Sequence, residues 1–272
     1  MMNELETFLY KIKLTKSFNT YRSYKSTMKA ITDSKIKLDN INEKSVLKAI
    51  ELWHKTLSIN TIKYRLVVLS QFCKSAGIDY VWIDNLCDSI PSEYKIQPCP
   101  TIEEFEKILG KTNNYKYKAI LLIMAESGAR VSEVTGIKLC DLNLKNNSVV
   151  IRSTKNNEDK IIRLSNRAKE NIQNYIKRER CDTSENKLFT SPFGEQAMIS
   201  TQVQIKTYCE MAGLGKYHCH SFRHYFAQRL IDNNYSLPIV QKAMGHKSSK
   251  STERYFKVKN DTVFSAVDSV FN

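Results

Sequence analysis

Four of the five histidines in this 272-residue chain lie within residues 218–255, together with several arginines and a closing tyrosine. Arginine offers a planar fork of donors to phosphate oxygens, histidine moves protons near neutral pH, and tyrosine can act as a covalent nucleophile. This combination predicts phosphoryl transfer in which cationic side chains, rather than a magnesium site, neutralise the developing charge. The residues concerned are His218, His220, Arg223, His224, His246 and Tyr255.

A helix must position the first of these groups. Apolar residues recur at helical spacing after Cys219, so that His220, Arg223 and His224 fall within about one turn of a helix start. A helix start favours anions, because its first N–H groups have no partner within the helix. We expect this helix to end at Asn233 and Asn234.

Two further elements carry the rest of the cluster. Residues 237–244 predict a short helix, and Gly245 predicts the turn that presents His246. Tyr255 follows nine positions after His246, on a third helical segment that we expect to begin near Ser251. Together these elements bring cationic and proton-transferring groups within folding reach of one phenol.

Zinc binding is an alternative use of the cluster. His218, Cys219, His220 and His224 are all ligand types, but adjacent ligands in His-Cys-His order suit a tetrahedral site poorly and no Cys-x-x-Cys pair accompanies them. We therefore predict no metal and no other cofactor.

Phosphate binding requires a second arginine. The very apolar helix predicted over residues 117–127 is stopped by Gly128, and Arg130 follows directly in the sequence Gly-Ala-Arg-Val-Ser-Glu-Val. A glycine turn between two helices would aim the Arg130 side chain, although a cap on the preceding helix or an ion pair with Glu133 explains the residue equally well.

The chain then changes to a β-like pattern. Residues 148–152 and 160–164 are short apolar runs on either side of a polar turn, which predicts a hairpin with Lys155 near its tip. A lysine in such a turn is usually only solvated, so the pattern alone leaves the role of Lys155 open.

Composition favours a polyanionic partner without requiring one. The chain has 42 Lys and Arg against 28 Asp and Glu, a formal net charge of +14, which a lysine-rich proteome would also explain.

Seven cysteines without paired spacing predict a reducing, intracellular environment. We recognise no secretory signal or membrane span, and expect a cytoplasmic protein associated with the nucleoid.

Two domains are predicted. Residues 1–90 form a small all-helical domain, residues 91–100 a proline-containing linker, and residues 101–272 a second domain that opens with a Thr101–Glu104 capping box. Two helices of the first domain open with Ser-x-x-Thr and carry basic residues in their first turns, a pattern that suits phosphate contacts or ordinary N-capping.

The order of these motifs resembles the tyrosine recombinases, the phage integrase and Xer-type group, over nearly the whole chain. The resemblance implies a mainly α fold with a small β-hairpin or sheet. An N-terminal helical core-binding (SAM-like) domain would precede a C-terminal α+β catalytic domain. The matching residues are Arg130 in its glycine turn, Lys155 in the hairpin, His220 to His224 with Arg223, His246 after Gly245, and Tyr255.

The resemblance also implies an activity. Tyr255 would attack a scissile DNA phosphate to give a 3′-phosphotyrosyl link and a free 5′-hydroxyl. Lys155 would protonate the leaving oxygen, and His220 would assist proton movement at the tyrosine. Strand exchange would then proceed through a Holliday junction, for Xer-like resolution or for integration of a mobile element.

The remaining roles follow in the same way. Arg130, Arg223 and His246 would hold the non-bridging oxygens of the phosphate. Glu133 and His224 would orient these groups through hydrogen bonds, or would serve only in packing.

The implied partners are double-stranded DNA recombination sites and three further copies of the chain, with no membrane. Residues 258–272 carry a mostly apolar helical face that would dock on a neighbouring subunit of a tetramer, or fold back on its own core. A type IB topoisomerase-like nicking and closing enzyme and a catalytically silent DNA-binding protein are the alternative functions.

Overall fold

The structure is a computed structural model that describes residues 3–91, 97–152, 159–181, 186–192, 194–195 and 197–245. The chain divides into two compact units, residues 1–95 and 96–272, and each unit has a hydrophobic core of its own. The domain limits expected from the sequence, 1–90 and 101–272 with a linker between them, remain our proposal.

The first unit is helical throughout its described residues. Its helices are α1 (Glu4–Thr15), α2 (Phe18–Asp33), α3 (Glu43–His54), α4 (Ile59–Ala76) and α5 (Val81–Ser89). The first four helices each begin after a residue whose side-chain oxygen accepts a hydrogen bond from the backbone N–H three residues on. Such caps satisfy donors that have no partner within the helix. The capping residues are Asn3, Ser17, Asn42 and Ser58.

The basic residues in the first turns of α4 have partners within this unit. The Lys63 ammonium group donates to the carbonyl oxygen of Ile90 at 2.8 Å. The Arg65 guanidinium lies 4.8 Å from the centroid of the Trp53 ring, and burial lowers its pKa. Both residues are half-buried, because their stems pack along apolar surface.

The helices of the second unit surround α7. They are α6 (Ile102–Lys111), α7 (Tyr115–Ser127), α8 (Val131–Thr135), α9 (Asn166–Arg178), α10 (Met198–Met211), α11 (Cys219–Asp232) and α12 (Leu237–Met244). The residues of α7 are apolar over most of its circumference, and α9 and α11 cover it on different sides. Its burial confirms the prediction from sequence.

A three-stranded antiparallel sheet lies beside these helices in the order β1-β2-β3. Val149 of β2 pairs with Ile162 of β3, and both side chains are buried. The predicted hairpin is thus confirmed in its two strands, whereas its tip, residues 153–158, lies outside the described residues. The strand β1, with two residues, was too short to be predicted. The strands are β1 (Leu142–Asn143), β2 (Ser148–Ile151), β3 (Lys160–Arg163), β4 (Thr190–Ser191) and β5 (Gly194–Glu195), of which the last two form a separate pair.

An ion pair fixes the chain directly after β2. Arg152 donates from Nη2 and Nε to Oδ1 of the buried Asp141, at 2.6 and 3.1 Å. Burial acts to raise the pKa of Asp141, but the hydrogen bonds and charge of Arg152 outweigh it, and the pKa is lowered.

One carboxylate joins the start of the second unit to the segment before α11. Oε2 of Glu104 accepts from the backbone N–H of Thr101 at 2.9 Å, which confirms the predicted capping box. The same oxygen accepts a hydrogen bond from the Tyr217 hydroxyl at 2.6 Å. The Tyr217 hydroxyl oxygen also lies 3.3 Å from the carbonyl oxygen of Cys99. These hydrogen bonds, that of Tyr217 foremost, lower the pKa of Glu104.

The ends of α11 and α12 agree with the sequence. The first helix ends at Asn233, and Asn234 takes a left-handed conformation with φ of 61°. The second spans Leu237–Met244 and ends at Gly245, with φ of 65°. The segments predicted from Ser251 and over residues 258–272 lie outside the described residues. Within the described ranges, each helix is too short or too polar to span a lipid bilayer.

Candidate active site

A cavity of about 310 Å³ opens where α8, α10 and α11 meet. The first residues of α8 and of α11 form much of its wall, so the start of the 14-residue helix α11 faces the cavity. Such a helix start favours an anion. The lining residues are Ala129, Arg130, Val131, Ser132, Gln202, His218, Cys219, His220 and Arg223.

Arg130 is the residue directly before α8, and Glu133 holds it in place. The Arg130 Nη1 donates to Glu133 Oε1 at 2.7 Å, while the Arg130 backbone N–H donates to Glu133 Oε2 at 2.8 Å. The Glu133 carboxylate therefore fixes both the backbone and the guanidinium of Arg130. The ion pair that the sequence left as an alternative is present, and it coexists with a place in the cavity wall.

The turn that leads from α7 to Arg130 requires a glycine at position 128. Gly128 has φ of 64°, a conformation that L side chains rarely adopt. A Cβ atom at this position would lie 2.6 Å from Cδ1 of Phe226 and 3.0 Å from Sδ of Met244. Close packing and backbone conformation thus both require glycine here.

Arg223 reaches the cavity from the buried side of α11. Its Nη1 donates to the carbonyl oxygen of Gly128, and its Nη2 donates to the carbonyl oxygen of Met244 at 2.6 Å. The side chain is only 3% exposed. Arg223 therefore binds the turn that leads to Arg130 and the end of α12 at the same time, a structural role that the sequence did not reveal.

His220 and His224 form a pair on α11. Their rings meet edge to face, with centroids 4.7 Å apart and an interplanar angle of 88°. His220 is exposed in the cavity wall and His224 is buried beneath it. The structure thus shows ring packing between the two histidines, and the supporting role expected for His224 stays a prediction.

The remaining sequence candidates cannot be placed in this geometry. Lys155, His246 and Tyr255 lie outside the described residues. Arg152 ends the described chain before Lys155, and Gly245 ends it before His246.

Two polar residues of the cavity wall were not predicted as part of the site. Ser132 lies in the first turn of α8, and Gln202 lies on α10. His218, which the sequence placed in the histidine cluster but to which the resemblance gave no role, also lines the cavity, and its ring Nδ1 is 3.3 Å from the hydroxyl oxygen of Ser221. Ser132 stands in the same heptapeptide as Arg130, so proximity in sequence was the available signal. Nothing in the pattern of α10 distinguishes Gln202.

Cys219, one of the residue types considered for zinc, is a buried thiol. Burial raises its pKa to about 12, and the nearby Cys209 acts in the same direction. Among the described residues, no three His, Cys, Asp or Glu side chains are grouped to hold a metal ion.

The arrangement is suited to a phosphate group. Two guanidinium groups, two imidazoles and the start of α11 share one space, and the Glu133 carboxylate beside them accepts a hydrogen bond from Arg130. Such a wall can hold non-bridging oxygens and stabilise charge that develops on them.

Comparison with known proteins identifies the class. The phage integrase family matches residues 101–261, more than half of the chain. The chain therefore belongs to the phage integrase family, the tyrosine recombinases, which are DNA strand transferases. The resemblance expected from the sequence is confirmed.

Individual relatives agree with this class. Tyrosine recombinase XerC of Thermodesulfovibrio yellowstonii is 27% identical over 277 aligned positions, which cover 93% of this chain and 91% of that protein. Tyrosine recombinase XerA of Pyrococcus horikoshii is 26% identical over 214 positions, 78% of this chain and 74% of the other. Among solved structures, the Tn1549 transposon integrase in complex with transposon right end DNA covers 100% of both chains, with a TM-score of 0.81 and 16% identity. The fold class predicted from the sequence is thereby confirmed.

Proposed function

We propose that this recombinase cleaves and rejoins duplex DNA at specific sites through a 3′-phosphotyrosyl intermediate. The observation that supports this most directly is the cavity in which Arg130, Arg223 and His220 meet at the start of α11. The net charge of +14 suits DNA as the partner, and the similar Tn1549 integrase was solved with transposon DNA bound.

The proposed reaction is a transesterification. The Tyr255 oxygen attacks the scissile phosphorus, the bond from phosphorus to the 5′-oxygen breaks, and the phenolic proton is lost while the leaving oxygen gains a proton. One phosphodiester is exchanged for another, so the energy of the bond is kept and no nucleotide is consumed. Attack by the 5′-hydroxyl of a second strand reverses the chemistry and rejoins the DNA.

Each residue has a separate task in this proposal. Arg130, Arg223 and His246 bind the non-bridging oxygens and stabilise the charge of the transition state. Lys155 gives a proton to the 5′-oxygen, because an alkoxide is a poor leaving group. His220 takes part in proton movement at Tyr255.

Two residues support this set. Glu133 orients Arg130 through its bonds at 2.7 and 2.8 Å. His224 supports the ring of His220 from below.

Exchange of strands between two sites requires four copies of the chain and proceeds through a Holliday junction. We propose that residues 258–272 dock on a neighbouring protomer, and that the enzyme acts either in Xer-like resolution or in integration of a mobile element. A chromosomal or plasmid substrate would place it at the nucleoid, in the cytoplasm.

The covalent step is tested with nicked suicide substrates that carry candidate sites and lose the cleaved fragment. The unaltered chain should give a covalent adduct at the 3′ end in a denaturing gel, and Tyr255→Phe should give none while it binds the same DNA. Candidate sites come from mapping the DNA bound in the native cell.

The same preparations separate the alternative functions. Joining of strands from two duplexes supports the recombinase, whereas relaxation of supercoils by a monomer without exchange would favour a topoisomerase. Tight binding without an adduct on any bound site would contradict the covalent mechanism.

The docking proposal has its own test. A chain truncated after Lys259 should still cleave single sites but should lose assembly on paired sites, as measured by gel shift and strand exchange. Unchanged assembly would contradict the proposed role of residues 258–272.

A further inference from the structure

Two helix ends meet behind the cavity. Helix α7 ends at Ser127 and helix α12 at Met244, and Arg223 donates to a carbonyl oxygen in each region. The last carbonyl groups of a helix have no partner within it, and together they carry partial negative charge. Two such ends brought together need cations or donors between them.

Lys160, the first residue of β3, supplies a second bridge. Its ammonium group donates to the carbonyl oxygen of Ser127 at 2.8 Å and to that of Ala243. It also lies 5.7 Å from the centroid of the Phe226 ring, within the range of a cation–π contact.

The two bridges run in parallel. Arg223 donates to the carbonyl oxygens of Gly128 and Met244. Each of these residues directly follows a residue, Ser127 or Ala243, whose carbonyl oxygen accepts a hydrogen bond from Lys160. Two cationic side chains therefore donate to two consecutive pairs of carbonyl groups.

The environment of Lys160 is unusual for a lysine. Burial, followed by the positive charge of Arg223, lowers its pKa to about 8, and Glu133 acts in the opposite direction. The bonds to Ser127 and Ala243 offset part of the cost of placing a charged lysine in this position.

The chain connects this junction to each part of the proposed site. Arg130 follows Ser127 by three residues, and His246 follows Gly245, the cap of α12. Lys155 precedes Lys160 by five residues in the same hairpin. A shift at the junction would move the start points of all three segments relative to one another.

We propose that Lys160 is a positioning residue for DNA cleavage. By bridging Ser127 and Ala243, it holds together the end of α7, which leads to Arg130, and the end of α12, to which Arg223 donates. This inference rests on the proposed function, because it assigns Lys160 a role in the same phosphoryl transfer. Lys160 does not line the cavity, so it acts through these other groups.

The experiment compares Lys160→Met with Lys116→Met on nicked suicide substrates. Lys116 is a matched control, because its ammonium group also donates to a backbone carbonyl, that of Thr190 at 3.2 Å, and lies 5.0 Å from the ring of Tyr117. Burial lowers the pKa of Lys116 as well. It lies away from the cavity wall.

We expect Lys160→Met to cleave about 100-fold more slowly per folded molecule, the loss that a displacement of about 1 Å in a site can cause. DNA binding should stay within about threefold, since one buried side chain contributes little to phosphate contacts. Lys116→Met should lose stability in urea but cleave within about threefold of the unaltered chain.

A substrate with sulfur at the 5′-bridging position tests how Lys160 acts. A thiolate leaves without a proton, so a variant that lacks only the proton donor should cleave this substrate at the normal rate. We therefore expect the sulfur substrate to restore cleavage by Lys155→Met but not cleavage by Lys160→Met. Restoration of Lys160→Met would make Lys160 a proton donor and overturn the positioning role. Cleavage by folded Lys160→Met at the normal rate would overturn it too.

The conservative variant Lys160→Arg covers the case in which the methionine variant does not fold. Arginine keeps the charge and two donors for the same carbonyls, so we expect at least about one third of normal cleavage. If folded Lys160→Arg cleaved about 100-fold more slowly than the unaltered chain, the proposal would be contradicted.

The pH profile separates positioning from stability. With the sulfur substrate, cleavage by the unaltered chain should fall as pH rises through about 8, and Lys160→Arg should shift that fall to higher pH. The lowered pKa means that the unfolded chain binds more protons between about pH 8 and 10, so the unaltered chain gains stability there. Above about pH 8 the unaltered chain should therefore lose cleavage without losing stability. If the unaltered chain and Lys160→Arg had the same pH profile of cleavage, the proposal would be contradicted.

A different result would bear on the proposed function itself. If the unaltered chain formed no adduct at all, the proposed function would be lost, and the role of Lys160 with it.

Discussion

The cavity and the junction behind it are built from opposite ends of helices. At the cavity, the start of α11 and the side chains of Arg130 and Arg223 line an open space. At the junction, the ends of α7 and α12 present carbonyl groups, and Lys160 and Arg223 donate to them. The first region has room for a ligand, whereas the carbonyl groups of the second accept from side chains of the protein.

Arg223 belongs to both regions, since it lines the cavity and binds two carbonyl groups of the junction. The comparison thus predicts that substitutions fall into two groups. Changes confined to the cavity should alter cleavage and leave stability almost intact, while changes at the junction should alter both.

The largest effect is expected for Arg223→Ala, which disturbs both regions. Cleavage of suicide substrates should fall by at least about 1000-fold, as for loss of a group that stabilises transition-state charge. Unfolding in urea should show a loss of about 2–4 kcal/mol, because two buried carbonyl groups lose their donor. Full stability in this variant would show that the junction does not depend on Arg223.

Arg130→Ala should affect the cavity alone. Cleavage should fall by about 100- to 1000-fold. The free energy of unfolding should change by less than about 1 kcal/mol, since the Arg130 side chain is 36% exposed and its one described ion pair is with Glu133. A loss of stability equal to that of Arg223→Ala would contradict the division into two regions.

Gly128→Ala should affect the junction through packing. The positive φ alone costs about 1–2 kcal/mol, and the contact of the new Cβ with Phe226 adds about 1–3 kcal/mol. Gly77→Ala is the matched control, because Gly77 also has a positive φ of 73° but nothing lies within 4 Å of its Cβ position. Equal losses in urea unfolding would show that the Phe226 contact relaxes freely.

The smallest effect is expected at Asp141. Here an arginine, Arg152, donates to a side-chain carboxylate rather than to the carbonyl groups at a helix end. The lowered pKa of Asp141 contributes stability above its ordinary pKa of about 3.9, and this contribution is lost as pH falls through the lower value in the folded chain. Asp141→Asn should therefore melt at a lower temperature than the unaltered chain at pH 7, and the two melting temperatures should approach each other below about pH 4. A constant difference across this range would assign the effect to packing.

Much of the fold could be predicted because its signals are local. The caps at Ser17 and Ser58, the apolar run of α7 and the short apolar run around Val149 each lie within a few residues of the element they specify. That Arg130 and His220 line the same cavity was also predictable, because arginine and histidine side chains both serve phosphoryl transfer.

The junction could not be predicted in the same way. Its acceptors are backbone carbonyl groups, which every residue type carries, and its donors lie up to 95 positions from them in the chain. Lys160 stands at the start of a strand where a lysine is commonly exposed. The partners of Lys63 and Arg65 were missed for the same reason, because the length of their stems allows either solvent or a neighbouring group.

The bonds of Glu104 have a practical consequence for studying the second unit by itself. The capping box needs Thr101, and the Tyr217 hydroxyl also lies beside the Cys99 carbonyl, so the residues before α6 belong to the structure that leads into α11. An expression fragment that starts at residue 97 keeps these contacts, whereas one that starts at Ile102 removes the cap and one of the two neighbours of the Tyr217 hydroxyl. The useful cloning boundary is therefore several residues ahead of the first helix.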